Sequence, residues 1–121
     1  MFELTVKGGF SAAHSLREYE GPCERLHGHN YKLDVVLCGE QLNELGLLID
    51  FKVVKAALAE VLGPLDHQVL NEVEPFDSLN PTAENIARHV YQELSERMPQ
   101  GVCVKSITAW ESDGCGATYL P

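Results

Sequence analysis

The sequence predicts an α+β fold, a four-stranded antiparallel sheet with two helices on one face in the order ββααββ. Three observations carry this. Apolar residues alternate with period two in two stretches before residue 40. They switch to helical spacing twice between residues 51 and 98, and they return to alternation after residue 101.

The first strand is read from Phe2, Leu4, Val6, Gly8, Phe10, Ala12 and His14 on one parity, with Glu3, Thr5, Lys7 and Ser11 on the other. Gly8-Gly9 inside it predicts a bulge or bend. Ser15 to Leu26, with Gly21-Pro22 and several charges, reads as a loop. His27, His29, Tyr31, Leu33, Val35 and Leu37 then alternate against Lys32 and Asp34, giving a second strand that pairs antiparallel with the first. Phe51, Val54, Leu58, Val61 and Leu62 share one face of a helix capped by Asp50 and ended by Gly63-Pro64. Leu65 to Asn80 is a long irregular connection of the kind that often carries function. Asn80 or Thr82 caps a second helix with Pro81 near its first turn. Its buried face is Ile86, Ala87, Val90, Leu94 and Met98, and Pro99 stops it; His89 is read as surface. Val102 to Glu111 is a third strand, Ser112 to Gly116 a turn, and Ala117 to Leu120 a short fourth strand. Such a sheet has a second face and two edges that one chain cannot cover, so an oligomer is expected.

A chain of 121 residues, 45% of them hydrophobic, fits one domain spanning 1–121. Nine basic residues against 18 acidic ones leave a net charge of −9. That balance argues against nucleic-acid binding, which needs a basic footprint, and against docking on an anionic membrane. No apolar run approaches the roughly 20 residues of a membrane span. The N-terminus lacks a basic segment followed by a long apolar one, so the expected compartment is the cytoplasm. Cys23, Cys38, Cys103 and Cys115 are far apart in sequence and form no C-x-x-C pair. The expectation is no disulfide framework, with at least two of the four acting as small hydrophobes.

His27-Gly28-His29 places two imidazoles on one face of a strand, because residues i and i+2 point the same way. His14 ends the first strand on its apolar parity, beside the start of the second. Three imidazoles therefore converge at one end of the sheet, a donor set that suits Zn²⁺ and leaves a fourth position open. Cys23, four residues before His27, admits two roles: a fourth ligand closing a structural site, or a thiolate beside a catalytic metal. Asp66-His67 in the long connection is either an oriented proton carrier or a surface pair. Glu111 shares parity with the apolar Ile107 and Ala109, where an unpaired carboxylate is costly. It reads either as an acceptor for a planar N–H pair or as a rim residue.

Six stretches occur together and in order: Phe10-Ser11-Ala12-Ala13-His14; Cys23-x-x-x-His27-Gly28-His29-Asn30-Tyr31; Leu48-Ile49-Asp50-Phe51; Leu65-Asp66-His67-x-x-Leu70-Asn71; Asn80-Pro81-Thr82-Ala83-Glu84-Asn85; and Trp110-Glu111 followed by Ala117-x-Tyr119. They cover nearly the whole chain, and the set resembles the 6-pyruvoyltetrahydropterin synthase family. The three-residue gap between Cys23 and His27 is similar to that of its 6-carboxytetrahydropterin synthase branch. The resemblance implies a tunnel fold, in which the sheets of three subunits form a barrel and two trimers stack as a hexamer with sites between subunits. It implies Zn²⁺ on His14, His27 and His29, with Cys23, Asp66 and His67 moving protons and Glu111 anchoring the aminopyrimidine ring of a pterin. It also implies a substrate, 7,8-dihydroneopterin triphosphate, and a lyase reaction giving 6-carboxy-5,6,7,8-tetrahydropterin, acetaldehyde and triphosphate on the route to queuosine. Other readings stay open: a pyruvoyl-forming or side-chain-cleaving relative, or a zinc-stabilised oligomeric binding module without turnover. The turn Ser112-Asp113-Gly114-Cys115-Gly116 departs from the family's usual sequence.

Overall fold

The computed structural model describes all 121 residues, Met1–Pro121. Strand β1 (Phe2–His14) leads through a loop to β2 (His27–Gly39), followed by helix α1 (Phe51–Leu62), the two-residue strand β3 (Gln68–Val69), helix α2 (Ala83–Ser95) and strands β4 (Cys103–Ser112) and β5 (Cys115–Tyr119). The sheet order is β3-β1-β2-β4-β5. The expected antiparallel ββααββ sheet is present, with one addition. Residues 68 and 69 pair in parallel with Ala12 and Ala13, so the sheet has five strands rather than four. Two residues are too few to show a period, and this element was therefore invisible in the sequence pattern.

The β1–β2 ladder runs without a break from Phe2↔Gly39 to His14↔His27. The bulge expected at Gly8-Gly9 is absent. These glycines serve close approach instead. A Cβ on Gly8 would lie 2.6 Å from Leu58 of α1, and one on Gly9 would lie 2.8 Å from the Tyr31 carbonyl. The irregularity sits between β2 and β4, where Val36 faces Ser106 and Leu37 faces Val104, leaving Lys105 as the extra residue. In the last hairpin, β5 begins at Cys115, so the turn is shorter than expected and Leu120 lies exposed beyond the strand.

Both helices cover one face of the sheet. Val6, Phe10, Tyr31, Leu33, Val35, Leu37, Val104, Ile107 and Ala109 meet Val54, Leu58, Val61, Leu62, Ile86, Ala87, Val90 and Leu94 in one core. Phe10 and Tyr31 stack with ring centroids 4.8 Å apart. The expected faces of both helices hold with two exceptions: Phe51 is 48% exposed at the first position of α1, and α2 ends at Ser95 rather than at Pro99, so Met98 packs half-buried against the core from beyond the helix. Asp50 caps α1 by accepting from the Lys52 N–H at 2.8 Å. Thr82, rather than Asn80, caps α2, its hydroxyl accepting from the Asn85 N–H at 3.1 Å.

The opposite face of the sheet is polar. The Trp110 indole N–H donates to Asp34 at 3.1 Å, and Lys32 pairs with Asp113 at 2.9 Å. Lys7 lies 3.9 Å from Asp34, and Lys105 pairs with Glu3.

The connection 65–80 is anchored rather than loose. Leu65, Leu70 and Phe76 are fully buried. The Arg17 guanidinium donates to the carbonyls of Phe76 at 2.7 Å, Asn71 at 3.3 Å and Leu79 at 3.4 Å. Asn71 and Ser15 exchange two hydrogen bonds of 2.9 Å, and Asn80 accepts from the Arg17 backbone N–H at 2.9 Å. His89, read as surface, is half-buried with its ring edge-on to Phe76 at 5.3 Å. The charged neighbours Arg88 and Glu93 concealed this in the sequence, because His89 lies at the border of the apolar stripe. None of the four cysteines is buried, so none is a core hydrophobe: Cys23 and Cys38 are half-buried, Cys103 and Cys115 exposed.

Phe76→Ala should cost about 3 to 5 kcal/mol in chemical denaturation, a core-sized loss from a residue in a connection. Burial pushes the His89 pKa below 6.5, with Glu93 acting in the opposite direction. The unfolded chain therefore takes up this proton at higher pH than the folded chain, and stability falls as pH drops below about 6.5. His89→Phe should flatten that loss between about pH 7 and pH 5, measured as the pH dependence of the denaturation midpoint.

Candidate metal centre and adjoining clefts

At one end of the sheet the unbroken β1–β2 register sets His14 directly opposite His27, and His29 lies two residues further along the same face. Each ring offers a nitrogen, and these atoms all lie within 4.8 Å of one another. His14 is 1% exposed and is the one imidazole in the core. Its Nδ1–H donates to the Pro81 carbonyl at 2.7 Å, with the Tyr31 hydroxyl 3.0 Å from the same nitrogen. The His27 Nδ1–H donates to the Arg25 carbonyl at 2.6 Å. Both carbonyls thus select the tautomer that leaves Nε2 as a lone-pair donor.

The two Nε2 atoms of His14 and His27 lie 3.1 Å apart, and His29 Nε2 is buried with no hydrogen-bond partner. Two lone pairs at that distance repel unless a cation lies between them. Tetrahedral zinc with nitrogen ligands at about 2.0–2.1 Å has a nitrogen–nitrogen edge of roughly 3.3 Å, which the 3.1 Å His14–His27 edge matches, and the third imidazole lies within 4.8 Å of both. Burial holds the pKa of His14 and of His29 below 6.5, with Glu111 acting against it in both cases. The neutral rings are the ligating form.

Glu111 reaches the same end of the sheet from β4, with carboxylate oxygens 3.9 Å from the Nε2 atoms of His14 and His29. Its placement follows the parity expected from Ile107 and Ala109. It also lines a cleft of about 340 Å³ with Leu16, Thr82, Ala83, Glu84, Cys115 and Gly116. Sequence reading assigned Thr82 only as a cap and overlooked Pro81 and Tyr31 as supports of His14. The Asn-Pro-Thr segment beside a predicted helix start was the available signal for Pro81.

Asp66 and His67 do pair directly, Nδ1 to Oδ1 at 2.9 Å. His67 has a positive φ of 58°, a conformation that non-glycine residues seldom adopt. Its backbone N–H donates to the Ser11 carbonyl at 2.6 Å, while Asp66 accepts from the Ser11 N–H at 3.0 Å. The Ser11 N–H, followed by His67, holds the Asp66 carboxyl below its usual range. The His67 ring is 80% exposed. It shares with His29 the lining of a second cleft, of about 450 Å³, on the other side of the strand ends. Cys23 lies in a short 3₁₀ turn, Pro22–Glu24, whose carbonyl accepts from Leu16 at 2.9 Å. Its sulfur is not among the converging donor atoms.

No helix is long and apolar enough to cross a membrane. Comparison with known proteins gives a consistent result. A 6-carboxy-5,6,7,8-tetrahydropterin synthase of Synechocystis is 39% identical over 125 residues, covering 99% of this chain and 94% of its own. A dihydroneopterin monophosphate aldolase of Pyrococcus furiosus is 34% identical over 113 residues, covering 93% and 92%. The solved structure of Caenorhabditis elegans 6-pyruvoyl tetrahydropterin synthase superposes with a TM-score of 0.91 at 28% identity, over 99% of this chain and 95% of that one. The chain therefore has the tunnel fold. The family model for 6-pyruvoyl tetrahydropterin synthase matches residues 3–121, and the chain belongs to that family.

Proposed function

We propose that this chain is a zinc-dependent lyase converting 7,8-dihydroneopterin triphosphate to 6-carboxy-5,6,7,8-tetrahydropterin, with release of acetaldehyde and triphosphate. The observation that carries this reading is the convergence of three imidazoles with Glu111 at one end of the sheet. The relatives' names support a pterin-acting lyase.

His14, His27 and His29 hold the metal in this reading. Zn²⁺ there supplies Lewis acidity that makes neighbouring C–H and O–H groups of a bound side chain more acidic. Glu111, reached through the cleft beside Thr82 and Glu84, accepts N–H groups of the aminopyrimidine ring and so orients the side chain. Cys23 removes a proton from that side chain. His67, oriented by Asp66, moves protons on the opposite side, and two carriers serve two stereochemically distinct transfers. The working form is a cytoplasmic homohexamer built from two trimeric barrels. Supporting this, the β5 edge and most of the β1 edge have no partner within the chain, and the polar sheet face carries no helix. The product enters queuosine synthesis, and the net charge of −9 agrees with a small-molecule substrate rather than tRNA.

One observation favours a second reading, cleavage of a less phosphorylated dihydroneopterin. Lys7, Lys32, Lys105 and Arg97 are each engaged by carboxylates. Arg17 is committed to backbone carbonyls and Arg88 to Asn85. Only Arg25, Lys52 and Lys55 are left to meet phosphate, and Arg25 alone adjoins a metal-facing histidine in sequence.

Incubation of the zinc-loaded protein with 7,8-dihydroneopterin triphosphate, followed by mass spectrometry, should show the 6-carboxy product and acetaldehyde. A hydroxymethylpterin, or turnover of the monophosphate only, selects the second reading. Absence of any pterin product from the zinc-loaded oligomer rejects both. Cys23→Ala should lower turnover by about 10²- to 10⁴-fold while metal analysis shows zinc retained. Loss of zinc from that variant would make Cys23 a ligand instead. Chelation should lower the thermal midpoint yet leave the circular dichroism of the folded chain at room temperature; unfolding on chelation would mark the zinc as structural.

A further inference from the structure

Two cysteines that are 65 positions apart in sequence face each other in space. Cys38, next to the end of β2, and Cys103, the first residue of β4, are direct partners in the antiparallel ladder. The adjoining partners Leu37 and Val104 are buried beneath the helices, so the two thiols share the other, polar face. Lys105, ion-paired with Glu3, confirms that placement. Glu3 is the partner of Cys38 in the β1–β2 ladder, and the Lys105 charge is close enough to interact with the Cys38 sulfur. Both cysteines are free, one half-buried and one exposed, so small reagents reach them.

Residues directly opposite in an antiparallel pair have Cα atoms about 4.5–5.5 Å apart, within the roughly 4.4–6.8 Å that a disulfide spans. The backbone is tightly packed here as well. A Cβ on Gly39 would lie 2.6 Å from the Gly101 carbonyl, so the strand ends are held together independently of the sulfurs. Neither other cysteine competes. Cys23 lies in the loop that leads to His27, and Cys115 faces Ser112 at the Glu111 end of β4.

We propose that Cys38 and Cys103 are a cross-strand dithiol that low-molecular-weight disulfides such as glutathione disulfide oxidise to an intrachain disulfide. One thiolate attacks the glutathione disulfide, forming a mixed disulfide and releasing one glutathione. The second thiolate attacks the protein sulfur of that mixed disulfide, forming the Cys38–Cys103 bond and releasing the other glutathione. The protein dithiol loses two electrons and two protons, and the oxidant is reduced to two thiols. The segment enclosed, 39–102, contains both helices, so the bond restricts the unfolded chain strongly. His29 lies nine residues back along β2, roughly 30 Å away, so the metal centre is untouched.

The test is to treat the full chain with glutathione disulfide and map its peptides without reduction. The expected result is a Cys38–Cys103 link, a mass loss of two hydrogens, and a rise in the thermal midpoint of at least about 5 °C that a thiol reductant reverses. Cys38→Ser and Cys103→Ser should each abolish the link and the rise. Separate glutathione adducts on the two cysteines, links to Cys23 or Cys115, or links only between chains would overturn the proposal. An unchanged midpoint in the linked protein would overturn its clamping role. The map of the unsubstituted protein decides the linkage even if a variant folds poorly.

Discussion

The register of β1 against β2 is the constraint on which the rest depends. Every residue from Phe2 to His14 has a partner in one unbroken ladder. Side chains alternate between faces, so a slip of one residue would exchange the buried and polar sets on β2. Under that slip His27 and His29 would leave the helix side of the sheet, and His14 would face an empty position. The register is pinned where the core is densest. Phe10 stacks on Tyr31, and Gly8 admits Leu58 where any side chain would collide. Packing that holds the fold is therefore the same packing that gathers the three imidazoles.

A second layer of restraint comes from the connection between the helices. Arg17 and Ser15, just beyond the end of β1, bind the backbone and side chains of 71–80. This brings the Pro81 carbonyl to the His14 Nδ1 and sets Thr82 beside the Glu111 cleft. Buried carbonyls need donors, and a buried imidazole needs its proton placed. Each requirement is met by the other, and the result is a ring whose Nε2 is free for a metal. Burial favours the neutral rings while Glu111, 3.9 Å from two of them, favours positive charge at the same spot. A divalent cation satisfies the carboxylate without protonating the rings.

Charge is distributed unevenly around this centre. Four of the nine basic side chains, Lys7, Lys32, Arg97 and Lys105, are paired with carboxylates on the polar sheet face or on the helix surfaces. The β5 edge and most of the β1 edge have no partner within the chain.

Sequence alone determined the strands β1, β2 and β4, the two helices with most of their buried faces, and the convergence of His14, His27 and His29. Period two, period 3.6 and cap chemistry are local signals, and these elements are long enough to display them. Glu111 was legible for the same reason, since a carboxylate in apolar parity stands out. Tertiary structure decided what local pattern cannot encode. The two-residue strand β3 exists only because Ser11 binds both Asp66 and the His67 backbone. The glycine pair reads as a bulge in isolation and proves to be a point of close approach only once Leu58 is seen against it. His89 is drawn under Phe76 by a connection whose path no periodicity reveals. Cys38 and Cys103 become partners through a ladder whose register is shifted by the bulge at Lys105. These are contacts between residues remote in sequence, and their geometry is set by how the elements pack rather than by what each one is made of.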